Sequence, residues 1–293
     1  MDIKIDKNTT LGFIGSGVMG VSMISHLINN GYQVSIYNRT KEKAKSLLEK
    51  GANWCASPQE MAKKSQIIFT MLGYPEDVQK IYLDSTGLIA NANANALLVD
   101  MTTSSPTLAK EIYAAGQKRN LEILDAPVSG GDSGAKNGTL SIMVGGDKKV
   151  FELALPLFKT FGKTIIYQGQ PGSGQHTKLT NQILIASYMI GVCEALQYAK
   201  KNNLNAQTVL ESVSGGAAAS WSLINLGPKM LSGDYAPGFY IHHFIKDLKL
   251  AVEECEKAGI ILNNLRNCLT QYGKLPDEIK KTKGTQAIYE LFK

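Results

Sequence analysis

Along the first part of the chain, short apolar runs alternate with stretches whose apolar residues recur every three or four positions. The runs at 10–14, 33–37, 66–72, 96–100, 121–124, 140–145 and 164–167 predict strands. Between them, helical spacing predicts a helix of about three turns closed by Asn30-Gly31, then helices over 75–82, 106–118 and 148–160. The strands are mostly apolar along their whole length, which predicts a parallel sheet covered on both faces. At Pro171-Gly172-Ser173-Gly174 the alternation stops. From Gln175 onward Leu179, Ile183, Ala186, Ile190, Cys193 and Leu196 keep helical spacing, and further helices are expected at 206–213, 221–231 and 244–258. The expected architecture is α/β, with a doubly wound sheet domain over 1–171 and an all-α domain over 172–293 joined by a long interdomain helix.

Composition narrows the class. With 293 residues, 44% apolar and 19% charged, the chain is long enough for two cores and too apolar for disorder. The formal net charge of +6 is modest, and apart from Lys41, Lys43, Lys45, Lys50 and the pair Lys280-Lys281 the lysines are scattered. Such a surface suits a small anionic ligand and argues against nucleic acid as a partner. Cys55, Cys193, Cys255 and Cys268 lie far apart without C-x-x-C spacing, as expected for reduced thiols of a cytoplasmic protein. The start lacks the apolar region of a signal peptide. The most apolar run, 183–196, contains Ser187 and Glu194 and falls short of the ~20 residues that span a bilayer, so no membrane partner is expected. No metal is expected, because His176, His242 and His243 have no carboxylate or cysteine at ligand spacing.

Candidate chemistry begins where the first run ends, at Gly15-Ser16-Gly17-Val18-Met19-Gly20. Between a strand and a helix, the first glycine permits the tight turn, the second lets the backbone approach a pyrophosphate, and the third lets helix and strand pack closely. Amides at the helix start then face the phosphates, which makes this a Rossmann-type dinucleotide site. The second run ends at Asn38-Arg39-Thr40, followed by Lys41 and Lys43. A carboxylate at that strand end would hold the ribose hydroxyls of NAD and repel a 2′-phosphate, whereas a guanidinium and an ammonium attract one. NADP(H) is therefore expected in preference to NAD(H). Reading Arg39 and Lys43 as an ordinary charged helix start is weaker, because cations there oppose the helix dipole. Strand ends carry ligands in such sheets, which puts Met71, Leu72 and Thr102 on cofactor-lining loops. Thr102 fits equally the cap region of the helix that follows.

Asp125-Ala126-Pro127-Val128-Ser129-Gly130-Gly131 follows another strand, and the Ser129 hydroxyl with the Gly130 and Gly131 amides can surround a carboxylate. Lys178 lies one turn inside the long helix, with Leu179, Gln182 and Ile183 around it. Most helix lysines are solvated, but this one falls on or beside the apolar face and can point into a cleft between two domains as a proton-transfer group. Lys246-Asp247 is expected at a helix start, where it fits ordinary dipole and solubility chemistry as well as a site. Trp221 and Phe239 read as core packing first and as a substrate wall second.

Taken together, these motifs resemble the β-hydroxyacid dehydrogenase family over nearly the whole chain: Gly15 to Gly20, Asp125 to Leu140, Gly172 to Asn181, and Lys246-Asp247-Leu248. The resemblance implies Lys178 as acid/base, Ser129, Gly130 and Gly131 as holders of a substrate carboxylate, and Lys246 with Thr102 near the cofactor. Many members carry asparagine four residues after the lysine. Here Asn181 stands three after and Gln182 four after, and either amide can orient the substrate hydroxyl. The implied reaction interconverts a short semialdehyde or 2-oxo acid and its hydroxy acid in a homodimer or homotetramer. The alternatives are an NADPH-binding sensor or scaffold without turnover, and an imine reductase-like enzyme, which would usually lack the lysine.

Overall fold

A computed structural model describes residues 5–293. Nine strands form one sheet: β1 (Leu11–Ile14), β2 (Val34–Tyr37), β3 (Asn53–Trp54), β4 (Ile67–Thr70), β5 (Leu97–Asp100), β6 (Glu122–Asp125), β7 (Val128–Ser129), β8 (Leu140–Gly146) and β9 (Gly162–Gly169). Their order is β3-β2-β1-β4-β5-β6-β8-β7, with β9 beside β8. From β3 to β6 every pair is parallel, and β1 is flanked by β2 and β4 in one register: Leu11 meets both Val34 and Ile67, and Ile14 meets both Tyr37 and Thr70. The chain leaves β1 in one direction and returns to start β4 on its other side. That reversal opens the crevice at the strand ends where doubly wound sheets bind ligands.

The expected all-parallel sheet is corrected at its far side, because β8 runs antiparallel to both β6 and β7. Only residues 130–139 join β7 to β8, less than the dozen or more that a parallel crossover needs. Other differences are short elements that the apolar pattern passes over, such as β3, β7 and the helices Pro58–Lys64, Leu88–Asn91 and Gly131–Lys136.

Packing explains why the sheet forms. Phe13, Phe69, Phe158 and Phe161 are fully buried, and the Phe69 ring meets Phe158 and Phe161 edge-on at 6.2 and 6.1 Å. Each such side chain contributes ~1.5–3 kcal/mol of transfer free energy, so this cluster ties the Lys148–Phe158 helix to the strands.

The chain divides into two compact units, Met1–Lys178 and Leu179–Lys293. In the second, the helices Ala206–Ser214, Trp221–Ser232, Ile241–Lys257 and Asn263–Gly273 pack around Phe244 and Tyr272, whose rings meet edge-on at 5.1 Å. The Tyr272 hydroxyl donates to the Thr285 carbonyl at 2.9 Å. The helix Ser173–Lys201 spans 29 residues, well beyond the apolar run inside it. By length and composition alone it suffices to cross a membrane, a test that the core helix of a soluble protein also passes; 44% of its apolar window is buried within this chain. Trp221, expected first as core packing, is instead 62% exposed at the start of its helix.

Candidate active site

At the C-terminal end of β1, Gly15 takes φ +103°, and a Cβ there would lie 2.2 Å from the Met71 carbonyl oxygen. A Cβ on Gly20 would lie 1.9 Å from the Gly15 carbonyl oxygen. Both glycines are demanded by the chain itself. Gly17 differs: a Cβ would meet nothing within 4 Å, so no neighbour in the protein requires glycine there. Ser16 Oγ, among the described residues, is buried with no hydrogen-bond partner in the chain. An open approach at Gly17 beside an orphaned hydroxyl fits a dinucleotide pyrophosphate at the start of the Val18–Asn29 helix.

Of the other predicted cofactor residues, Asn38, Met71 and Leu72 meet this turn, and the rest of those in the first unit lie at or just beyond the ends of β2 and β5. Asn38 Oδ1 accepts from the Ser16 amide at 3.4 Å, and Asn38 Nδ2 donates to the Thr40 carbonyl at 2.8 Å. Arg39 is exposed and pairs with Asp77 at 3.2 Å. Lys43 is exposed in a single 3-10 turn, Lys41–Ala44. Met71 donates its amide to Ile14, and Leu72 donates its amide to Thr102 Oγ1 at 2.8 Å. Thr102 is thus a clamp between the loops after β4 and β5. The capping alternative for Thr102 is corrected, because Ser105 caps the Pro106–Gln117 helix by accepting from Leu108.

Next along the sheet, Asp100 and Asp125 end β5 and β6 in register. Asp100 Oδ1 accepts from Thr70 Oγ1 and from the Thr102 amide. Asp125 Oδ1 accepts from the Gly172 amide at 2.8 Å and Oδ2 from the Gln175 amide at 2.9 Å. Burial pushes the Asp125 carboxyl up to about 6, with the amides of Gly172 and Gln175 opposing and Asp100 adding to the rise. Gln175 is fully buried; its Nε2 donates to the Thr102 carbonyl at 2.7 Å and its Oε1 accepts from the Ser104 amide at 2.9 Å. Lys178, one turn further, is 6% exposed. Asp125 and Gln175 had no role in the sequence reading. The available signal was a carboxylate closing an apolar strand, immediately before Ala126-Pro127. Ser129 ends β7, and Gly130 and Gly131 take φ +128° and +60°, conformations that suit glycine and lead directly into the Gly131–Lys136 helix.

In the second unit a separate polar chain forms. Asn181 Nδ2 donates to Gln182 Oε1 at 2.8 Å, and Gln182 Nε2 donates to Asp247 Oδ2 at 2.6 Å. Asp247 Oδ1 lies 3.0 Å from the Lys246 ammonium, an ion pair without hydrogen-bond geometry. The helix-start reading of Lys246-Asp247 is corrected, since that helix begins at Ile241 and both residues lie inside it. Burial, then His242 and Lys246, push His243 down to about 4, so it is neutral at physiological pH. Among the described residues no group of three or more His, Cys, Asp or Glu side chains could hold a metal ion.

Comparison with known proteins agrees with this layout. Residues 10–169 match the NAD binding domain of 6-phosphogluconate dehydrogenase, and residues 172–292 match the NAD-binding domain of NADP-dependent 3-hydroxyisobutyrate dehydrogenase. An uncharacterized oxidoreductase of Bacillus subtilis is 53% identical over 97% of this chain and 98% of its own length. A mitochondrial 3-hydroxyisobutyrate dehydrogenase-like protein of Arabidopsis thaliana is 46% identical over 98% of this chain and 86% of its own. The 2-hydroxy-3-oxopropionate reductase of Escherichia coli is 36% identical over 88% of each chain. Among solved structures, the Mycobacterium tuberculosis 3-hydroxyisobutyrate dehydrogenase determined with L-serine superposes with TM-score 0.89 at 29% identity, covering 97% of this chain and 99% of that one. A Streptomyces aurantiacus imine reductase, at 18% identity and TM-score 0.66 over 97% of this chain and 100% of its own, shares the fold alone.

The fold and these relatives define an NAD(P)-dependent oxidoreductase that acts on the CH–OH group of small hydroxy acids or the carbonyl that replaces it. More narrowly, the chain belongs to the β-hydroxyacid dehydrogenase family.

Proposed function

We propose that this enzyme interconverts a short semialdehyde acid, or a 2-oxo acid, and its hydroxy acid, that it prefers NADPH, and that Lys178 is its acid/base. The observation that carries the reading is a lysine only 6% exposed, set one turn into a helix whose first turn is gripped from two strand ends. Gly15 to Gly20 would hold the pyrophosphate, with Ser16 Oγ as a donor, while Met71, Leu72 and Thr102 would line the nicotinamide half; Arg39 and Lys43 would meet the 2′-phosphate. When bound, the cofactor supplies hydride to the substrate carbon, or takes it up. Ser129 with the Gly130 and Gly131 amides would bind the substrate carboxylate.

In the reducing direction the Lys178 ammonium stabilises the charge developing on the carbonyl oxygen and then delivers its proton there; in the oxidising direction the neutral amine takes the hydroxyl proton. Asn181 or Gln182 would orient that hydroxyl; the two are linked to each other, and Gln182 is linked on to Asp247. Lys246, paired with Asp247, would stand near the cofactor. Assembly as a homodimer or homotetramer is supported by an exposed apolar stripe on the long helix, formed by Leu184, Tyr188 and Tyr198.

Lys178→Ala is expected to lower kcat by ~10² or more while leaving NADPH affinity, read by fluorescence titration, unchanged. Near-normal turnover by the variant would remove the acid/base role. In the same assay, binding without turnover of any short semialdehyde or hydroxy acid would indicate a sensor, and preference for cyclic imines an imine reductase.

A further inference from the structure

We infer that Asp125 is a positioning residue for Lys178: its carboxylate grips the first turn of the Ser173–Lys201 helix and so fixes where the lysine stands above the ends of β5 and β6. The inference rests on the reading of Lys178 as acid/base. Asp125 closes β6 and is 4% exposed. Its two oxygens are divided between the Gly172 amide, just before the helix, and the Gln175 amide inside the first turn. Helix starts leave such amides without intrahelical partners, and an anion there also complements the helix dipole.

The backbone around the carboxylate leaves it no room to shift. A Cβ on Gly174 would lie 2.4 Å from the Met143 carbonyl oxygen, 2.6 Å from the Asp125 carbonyl oxygen and 2.8 Å from Asp125 Oδ2. A Cβ on Gly145 would lie 2.5 Å from Asp125 Oδ1, and Gly172 takes φ +88°. The helix start is therefore pressed directly onto β6 and β8, and Asp125 cannot move without carrying it along. Gln175 adds a second grip through Thr102 and Ser104 at the end of β5. Lys178 follows Gln175 by three residues, ~4.5 Å along the helix axis.

An ordinary N-cap is a neighbouring Ser, Thr, Asn or Asp that needs no help from a distant strand. Here the acceptor comes from 47 and 50 residues upstream and is a buried charge, so the helix start is referenced to the sheet edge rather than to its own loop. Positioning of this kind acts on the rate of the chemical step, because a misplacement of about 1 Å in an acid/base group can cost ~10² in rate.

The test compares Asp125→Asn, Asp125→Ala and Gln175→Met in the full chain, using a short semialdehyde acid that the wild type reduces, with NADPH and with NADPH deuterated at the transferred position. Asparagine keeps the shape and one acceptor oxygen. The expectation is a kcat lowered ~10-fold in Asp125→Asn and ~10² in Asp125→Ala, NADPH affinity within about twofold, and a larger deuterium isotope effect on kcat because the chemical step has slowed. A merely structural role would lower the active fraction and the Tm with the isotope effect unchanged, which overturns the inference. If Asp125→Ala does not fold, the Asn and Gln175→Met variants decide by the same readouts. Lys178→Ala run in parallel separates the two claims. If it turns over normally, the lysine reading falls and this inference with it. If Lys178→Ala is inactive while Asp125→Asn and Gln175→Met keep wild-type kcat and isotope effect, only the role of Asp125 falls.

Discussion

Asp125 also has a thermodynamic signature. Its carboxyl, pushed by burial up to about 6, holds more protons in the folded than in the unfolded chain between that value and its ordinary one of 3.8. The stabilising contribution of such a group is complete below the unfolded pKa and is lost as the pH rises through the folded pKa. Keeping it ionised at neutral pH therefore costs on the order of 3 kcal/mol. Wild-type protein is expected to gain stability relative to Asp125→Asn as the pH falls from 7.5 to 5, in thermal melts of the two proteins across that window. A pH-independent difference in Tm would contradict the buried, ionised carboxylate. Gln182 illustrates the opposite situation: turned the other way, its carbonyl oxygen would face the Asp247 carboxylate, so its orientation is fixed by its partner.

At the scale of elements, the proposed preference for NADPH is tested at the end of β2. Asn38 offers an amide where a carboxylate would exclude a 2′-phosphate, and Arg39 is exposed with Asp77 as its partner. An exposed pair of this kind is worth ~0–1 kcal/mol, little enough for a phosphate to compete. The expected result is a kcat/KM for NADPH at least ~10-fold that for NADH, reversed or abolished in Arg39→Asp; equal use of both cofactors by the wild type would reject the assignment.

The same scale shows what the sequence carried. Long apolar strands and the glycine turn were readable because burial on both faces and backbone sterics leave direct marks on composition. The Pro58–Lys64 helix has too few apolar residues for periodicity to reveal it, yet Ser57-Pro58-Gln59-Glu60 held its start signal: Ser57 Oγ accepts from the Glu60 amide and Glu60 accepts from the Ala56 amide. Asp125 was harder, because its two partners lie 47 and 50 residues away and no local pattern encodes them. The antiparallel turn into β8 was missed for the same reason, since apolar runs give no direction.

For the whole molecule, the long helix presents Leu184, Tyr188, Gly191, Ala195 and Tyr198 at spacings of three and four residues, all exposed. A continuous stripe of this kind marks an interaction surface. Sedimentation is expected to give a dimer or tetramer, and the double substitution Leu184→Lys with Tyr188→Lys to shift it toward monomer; an unchanged mass would place the interface elsewhere.

The place of β1 in the sheet has a consequence for synthesis. Residues 11–14 pair with 34–37 on one side and with 67–70 on the other. While the chain emerges from the ribosome, the helix Val18–Asn29 and β2 can close early, but the second edge of β1 stays bare until β4 has been made. Every residue of β1 is apolar or glycine, and such an unpaired edge is a template for another chain. The nascent protein thus passes through an interval in which the bare edge of β1 is an adhesive part, and the arrival of Ile67–Thr70 ends it.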